Sequence, residues 1–165
     1  MIEKTFVAIK PDGVQRGLIG RILQRFEDAG LKIIAMKMIL IDKDFASKHY
    51  TEDIAVRRGA HVREQLLDFI TTGPVIAMVL EGVEAIEVVR KIVGGTEPKT
   101  AAPGTIRGDF THVSYGMGDK TKKAIPNVIH ASANKPDAEH EVELWFSAEE
   151  MYKYRTVHEA HTHLN

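Results

Sequence analysis

Residues 5–13 have the sequence TFVAIKPDG, and this stretch gives the first indication of the fold. The residues from Thr5 to Ile9 are apolar or β-branched, a composition typical of a buried strand. Pro11, Asp12 and Gly13 follow Lys10 directly and form a turn signal, because proline and glycine favour the backbone conformations of turns. We therefore predict a buried strand that ends at Lys10.

The sequence after this turn predicts a helix. Apolar residues recur there about every four positions, which is the spacing of one helix face, and Gly30 is placed to end the helix. These apolar positions are Val14, Leu18, Ile22, Phe26 and Ala29. A second strand is predicted over Ile33–Ile41, so the first part of the chain has the order strand, helix, strand.

The remaining sequence repeats this order after a stretch that contains further predicted helix. Short apolar runs predict strands over 75–80 and 127–131, with helices over 62–70, 85–93 and 136–146. The polar segment 51–59 is interpreted as a loop, and residues 94–126 show no periodicity.

Two split β-α-β units of this kind predict an α+β fold. In this ferredoxin-like α/β sandwich, a four-stranded antiparallel sheet would carry its helices on a single face. A doubly wound parallel sheet stays an alternative, because each half also fits β-α-β and periodicity does not separate the two.

Composition excludes several classes of protein. The chain has 165 residues, of which 44% are hydrophobic, so we expect one globular domain over residues 1–165. A net charge of −1 gives no support to bulk nucleic-acid binding, and the absence of cysteine excludes disulfides, thiolate metal sites and a cysteine nucleophile. The N-terminus does not resemble a signal peptide, and no apolar run reaches membrane-spanning length. We expect a cytoplasmic protein.

Three separate elements carry potential chemistry, although the common nucleotide-binding motifs are missing from the sequence. Lys10 ends a predicted buried strand, Arg107 lies in the glycine-bracketed loop PGTIRGDF, and His130 lies in the short apolar run NVIHAS. Each also has a plain structural interpretation: a strand-end lysine, a tight turn with Arg107 paired to Asp109, and a core histidine.

Together these elements favour phosphoryl transfer through a phosphohistidine. Cationic groups would bind the phosphates, and a neutral imidazole is nucleophilic near pH 7 because its usual pKa is about 6.5. Glu141, on the following predicted helix, would bond the second ring nitrogen of the histidine and fix its tautomer.

The motifs IKPDG, PGTIRGDF and NVIHAS, with ELWF after them, resemble in this order the nucleoside diphosphate kinase family. The resemblance covers about residues 4–152 and implies a ferredoxin-like fold. It also implies ping-pong transfer of the γ-phosphate from ATP, or another nucleoside triphosphate, to a nucleoside diphosphate. His130 would be the nucleophile, with Ser132 and Glu141 supporting it. The implied nucleotide ligands are Lys10, Tyr50, Arg90, Thr96, Arg107 and Asn127. Mg²⁺ would be bound to the phosphates without direct protein ligands.

The sequence departs from the family pattern in several places. The segment after His49-Tyr50 lacks the aromatic residue that stacks on the base, so Val62 and Leu66 are expected to supply an apolar clamp. Ala133 stands where the family has an acidic residue, which leaves a catalytically impaired homologue as an alternative.

An insertion of about ten residues lies between Arg107 and His130, over residues 111–124. Its lysines, together with Tyr115, offer an alternative nucleic-acid-binding role, and a solvated basic loop is the plain structural interpretation of the same run. The insertion is expected to form either a flap over the phosphates or a surface arm, and we favour the surface arm. The resemblance further implies a homo-oligomer, for which we predict a hexamer with a tetramer as the alternative.

Overall fold

A computed structural model describes residues 1–163. The predicted domain of residues 1–165 also includes Leu164 and Asn165, which lie outside the described residues. In chain order the elements are β1 Ile2–Ile9, α1 Pro11–Gln15, α2 Ile19–Asp28, β2 Lys32–Ile39, α3 Lys43–His49, α4 Glu52–Arg58, α5 Ala60–Ile70, β3 Val75–Val83, α6 Ala85–Val93, α7 Ile106–Phe110, α8 Tyr115–Thr121, β4 Ile129–Ala131, α9 Lys135–Trp145 and α10 Glu159–Thr162. Short 3-10 turns occupy Pro98–Thr100 and Ala148–Glu150. Among the described residues, no helix is long and apolar enough to cross a membrane.

The four strands form one sheet in the order β2-β3-β1-β4. Every neighbouring pair is antiparallel, with Ala8 opposite Ala77 on β3 and opposite His130 on β4. This order and direction confirm the predicted ferredoxin-like fold and exclude the parallel alternative.

Helices cover both faces of the sheet, so the prediction of a single helical face is wrong. On one face α2, α6 and α7 pack against alternate strand residues such as Val7 and Ile9. On the other face α3, α5 and α9 pack against Phe6 and Ala8. The physical reason is that β1 and β3 are apolar at successive positions, not only at alternate ones, so both of their faces must be removed from water.

Local structure differs from the predictions in three further places. The helix predicted from Val14 onward is two helices, α1 and α2, because Gly17 between them has a φ of +66°. The predicted loop 51–59 contains helix α4, which has no buried residue and therefore no apolar stripe to reveal it. The stretch 94–126 contains the short helices α7 and α8.

Candidate active site

A cleft of about 330 Å³ lies where β1 ends and β4 passes beside it. Nine of the ten predicted site residues line this cleft. They are Lys10, Tyr50, Val62, Arg90, Thr96, Arg107, Asn127, His130 and Glu141. The tenth, Ser132, is fully buried behind the cleft, where its hydroxyl contacts Glu141.

His130 is held on β4 by a hydrogen-bonded chain of side chains. Its Nε2 lies 2.9 Å from Oε1 of Glu141, and the Ser132 hydroxyl donates to Oε2 of the same carboxylate at 2.6 Å. Burial alone would raise the pKa of Glu141, but the charge of His130 and the hydrogen bonds from His130 and Ser132 outweigh it and lower that pKa to about 2. Glu141 is therefore ionised near pH 7 and accepts a hydrogen bond from the Nε2–H group of His130. In the neutral imidazole, Nδ1 is then the ring nitrogen that carries a free electron pair.

A second buried histidine, His49, packs edge-on against His130 with ring centroids 4.5 Å apart. Burial, followed by the charge of His130, lowers the pKa of His49 to about 3. The indole Nε1 of Trp145 donates to Nδ1 of His49 at 3.3 Å, which requires that nitrogen to be unprotonated. His49 is thus a neutral packing partner that limits the orientations open to His130.

Lys10 and Asn127 are joined at the floor of the cleft. The Lys10 Nζ donates to Oδ1 of Asn127 at 2.8 Å, and the Asn127 amide donates to the backbone carbonyl of Thr96 at 2.9 Å. Burial, and next the positive charge of Arg107, lower the pKa of Lys10 to about 7. This ammonium lacks an anionic partner strong enough to offset its burial, which is the condition expected of a group that binds an anionic ligand.

Arg107 is fixed by three backbone carbonyls. Its guanidinium donates to Gly94 at 3.0 Å, to Asn127 at 3.3 Å and to Ile129 at 2.6 Å. Burial lowers the pKa of Arg107 to about 10, so the group remains charged near pH 7. None of these three partners carries a negative charge. The interpretation of Arg107 as a turn residue paired to Asp109 is wrong, because Asp109 pairs with Arg25.

The backbone before His130 is strained. Val128 is buried and has a φ of +60°, a conformation that β-branched residues rarely adopt. Its carbonyl accepts from the Lys10 amide at 2.9 Å, and its amide donates to the Asp12 carboxylate at 3.0 Å. The Lys10–Asp12 turn therefore sets the path of the chain into β4.

Among the cleft residues outside the predicted site are Arg58 and Tyr115. Arg58, near the C-terminal end of α4, lines the cleft and is close enough to help lower the pKa of Lys10. The consecutive basic residues Arg57 and Arg58 are the sequence signal that could have indicated an anion-binding role. The second residue, Tyr115, belongs to the insertion.

The insertion lies against the cleft, so the favoured surface-arm interpretation is wrong. Tyr115, Gly118, Asp119 and Lys123 all line the cleft wall. Helix α8 is tied there because the Tyr115 amide donates to Glu97 Oε1 at 2.9 Å, and the Ser114 side chain caps its first turn.

One group of possible metal ligands is present in the described part of the chain. Ligand atoms of His49, His130 and Glu141 lie within 4.8 Å of one another. Two imidazoles and one carboxylate do not fit Mg²⁺, which prefers oxygen ligands. The exposed carboxylates Asp53 and Asp137, which also line the cleft, are oxygen donors that fit a hydrated Mg²⁺.

An oriented histidine beside a lysine and three arginines, in one cleft of a ferredoxin-like sheet, is the site of a phosphotransferase. A family model described as nucleoside diphosphate kinase matches residues 3–151. The chain therefore belongs to the nucleoside diphosphate kinase family, and the predicted family and enzyme class are confirmed.

Individual relatives agree along nearly the whole length. A nucleoside diphosphate kinase from Pyrococcus furiosus is 54% identical over 153 residues, which are 93% of this chain and 88% of the relative. A solved structure described as a transition-state mimic of nucleoside-diphosphate kinase from Borrelia burgdorferi, with bound vanadate and ADP, matches with a TM-score of 0.96 and 48% identity over 98% of this chain and 97% of that one. The enzyme from Halobacterium salinarum in complex with CDP matches with a TM-score of 0.83 and 40% identity, covering 97% of each chain.

Proposed function

We propose that the chain transfers the γ-phosphate of ATP, or of another nucleoside triphosphate, to a nucleoside diphosphate through a phosphohistidine on Nδ1 of His130. The observation that carries this proposal is the 2.9 Å contact between His130 Nε2 and Glu141. A proton fixed on Nε2 leaves the electron pair of Nδ1 free for attack on phosphorus.

The proposed reaction has two balanced half-reactions. In the first, the Nδ1 electron pair forms a bond to the γ-phosphorus while the bond to the β–γ bridging oxygen breaks. The nucleoside diphosphate leaves with the electron pair of the broken P–O bond. In the second, a terminal phosphate oxygen of an acceptor diphosphate attacks the same phosphorus, and the N–P electron pair returns to Nδ1. Glu141 stabilises the positive charge that the imidazole carries in between.

The remaining site residues are assigned to binding. Lys10, Arg90 and Arg107 would neutralise the phosphates, with Arg58 added to the set predicted from the sequence. Thr96, Tyr50 and Asn127 line the same cleft, and Asn127 positions Lys10 through the 2.8 Å hydrogen bond. Electrostatic stabilisation by cations supplies much of the catalysis in phosphoryl transfer, which fits the four positive side chains assigned here to the phosphates.

We expect Mg²⁺ to be carried by the nucleotide phosphates. When bound, it neutralises phosphate charge and polarises the transferred group. Asp53 and Asp137 would hold its water shell, since both are exposed carboxylates of the cleft. Asp137 would thereby replace the acidic residue that the family has at the position of Ala133.

We further propose broad use of purine and pyrimidine nucleotides. The relative from Borrelia burgdorferi is described with ADP and that from Halobacterium salinarum with CDP, which supports acceptance of both base classes. A cytoplasmic location and a homo-oligomeric state also belong to this proposal, and both stay predictions.

The test is a brief incubation with γ-labelled ATP and Mg²⁺. We expect the protein to take up label that is stable in base and lost in acid, as a phosphohistidine is. The His130→Ala variant should take up none, whereas the control His158→Ala, altered in the exposed C-terminal segment, should label normally. An unlabelled parent protein, or a labelled His130→Ala variant, would overturn the proposal.

A further inference from the structure

The cleft has two chemically different parts. Its inner part holds Lys10, Asn127 and Arg107, all at most 8% exposed, and ends at His130. Its outer part is formed by half-buried apolar side chains from one side and by α8 from the other. We call this outer part the mouth; its residues are Ile54, Arg58, Val62, Leu66 and Tyr115.

A nucleotide can occupy such a cleft in one direction only. Its phosphates must reach the buried cations and His130, because these are the groups that bind and react with phosphate. The nucleoside then extends toward the mouth, where a flat apolar ring surface suits the face of a base.

Tyr115 is the aromatic side chain that the insertion brings to the mouth. The guanidinium of Arg58 lies 5.2 Å from the centre of its ring, so α4 and α8 meet across the cleft at this pair. The ring therefore lies in the wall of the mouth, beside Arg58 and in the same cleft as Arg107.

We propose that Tyr115 is a nucleotide-binding residue whose ring packs against the base, opposite the apolar wall of Val62 and Leu66. The insertion is then part of the substrate site and supplies the aromatic group that the segment after Tyr50 lacks. This inference rests on the proposed function for the direction in which the nucleotide lies. Arg58 is free to leave the Tyr115 ring for the phosphates when a base takes its place on the ring.

The geometry of α8 supports a fixed position for Tyr115. A Cβ atom on Gly118 would lie 2.9 Å from both a methyl carbon of Ile125 and the Lys123 carbonyl, so α8 is packed closely against the chain that follows it. Gly116, in the same helix, is exposed and has no neighbour closer than 3.9 Å at the corresponding point.

The test compares binding of ADP with binding of inorganic tripolyphosphate, which offers phosphates without a base, both with Mg²⁺ and measured by calorimetry. Tyr115→Ala should weaken ADP binding about tenfold or more, as expected for loss of one stacking partner, and should change tripolyphosphate binding by less than about twofold. Tyr115→Phe should bind ADP nearly as the parent does, and the control Tyr152→Ala, altered at an exposed tail residue, should bind both ligands unchanged.

A second pair of variants tests the same inference without altering Tyr115. Gly118→Ala should displace α8 and weaken ADP but not tripolyphosphate binding, whereas Gly116→Ala should leave both as they are. Equal losses for the two ligands, or no loss for ADP in Tyr115→Ala, would overturn the role of the ring. Failure here is distinct from failure of the proposed function, because His130 should still take up label from saturating ATP in Tyr115→Ala.

Discussion

Glu141 is the residue that sets the protonation of His130, the proposed nucleophile. Each of its oxygens has one partner, His130 Nε2 at 2.9 Å and the Ser132 hydroxyl at 2.6 Å, so the carboxylate cannot rotate away without losing both. A buried carboxylate that accepts two hydrogen bonds is stabilised in its ionised form. The ionised Glu141 in turn holds the proton on Nε2 of His130.

Replacing Glu141 by Gln should reverse this arrangement. A Gln amide placed to donate to Nε2 would favour the tautomer protonated on Nδ1, which has no electron pair to attack phosphorus. We expect kcat to fall by about 100-fold or more, by analogy with the tautomer effect in serine-protease triads, and KM to change by less than about threefold. Steady-state kinetics with ATP and a diphosphate acceptor measure both.

The matched control is Glu139→Gln, which alters an exposed carboxylate of the same helix. It should keep the parent kcat, and thermal unfolding should show that both variants are folded. A Glu141→Gln enzyme with a kcat within about threefold of the parent would mean that this hydrogen bond does not set the tautomer.

We expect Lys10 to make nucleotide binding depend on pH. Its pKa of about 7 in the free protein results from burial and from the charge of Arg107. Bound phosphates favour the charged ammonium and raise this pKa, so the affinity gained from Lys10 is fully present below pH 7 and declines as pH rises through 7. Above pH 7 a growing fraction of the free protein has a neutral Lys10, so binding should take up protons there.

Calorimetry in two buffers of different ionisation enthalpy measures this proton uptake. We expect the parent protein to take up more protons on binding ADP at pH 8 than at pH 6, and Lys10→Gln to show a smaller difference. Since ADP itself binds protons, only the contrast between the two proteins is informative. Identical uptake by parent and Lys10→Gln would place the titration elsewhere.

At the scale of elements, strands were easier to predict than helices. β1 is continuously apolar over Phe6–Ile9 and β3 over Val75–Leu80, so the existence of both strands was evident from the sequence alone. The same runs also contained evidence that both sheet faces are covered, because Phe6 and Val7 point to opposite faces and neither can remain in water.

Helices α4 and α8 could not be predicted by periodicity for a physical reason. Helix α4 buries no side chain, and α8 contains two glycines and buries only Gly118. Such helices are held by caps and by a few specific contacts, such as the Tyr115 amide on Glu97, which depend on the folded chain. The positions of Arg58 on α4 and Tyr115 on α8 could not be predicted from the sequence either, because they depend on these two helices.

The candidate site residues Lys10 and His130 were predictable because each lies in or directly after a short apolar run. Lys10 follows β1 and His130 lies on β4, and the antiparallel pairing of Ala8 with His130 brings them together. The sequence did not reveal the strain at Val128, because β-branched residues rarely adopt a positive φ. The contacts of Lys10 and Asp12 with the Val128 backbone impose this conformation, and they exist only in the folded chain.

For the whole molecule, we expect the outer edge of the sheet to form the interface between copies of the chain in the predicted homo-oligomer. Strand β2 is an edge strand, and Met36, Met38 and Leu40 are 53, 59 and 67% exposed. In the described part of the chain, the C-terminal segment meets this strand where the Tyr152 amide donates to the Ile34 carbonyl at 2.8 Å and where Glu150 pairs with Lys37. An uncovered apolar edge strand pairs readily with another strand, and a second copy of β2 would bury the three apolar side chains.

The predicted hexamer of 18.4 kDa chains has a mass of about 110 kDa, and the alternative tetramer has one near 74 kDa. We expect light scattering of the purified protein to give the larger value. Met38→Lys would place a charge in the β2 contact and should lower the mass to that of a smaller assembly. The control Val157→Lys, altered at an exposed residue of the C-terminal segment, should keep the parent mass. A parent mass near 74 kDa would replace the hexamer by the tetramer, and an unchanged mass in Met38→Lys would show that the subunits meet through another surface.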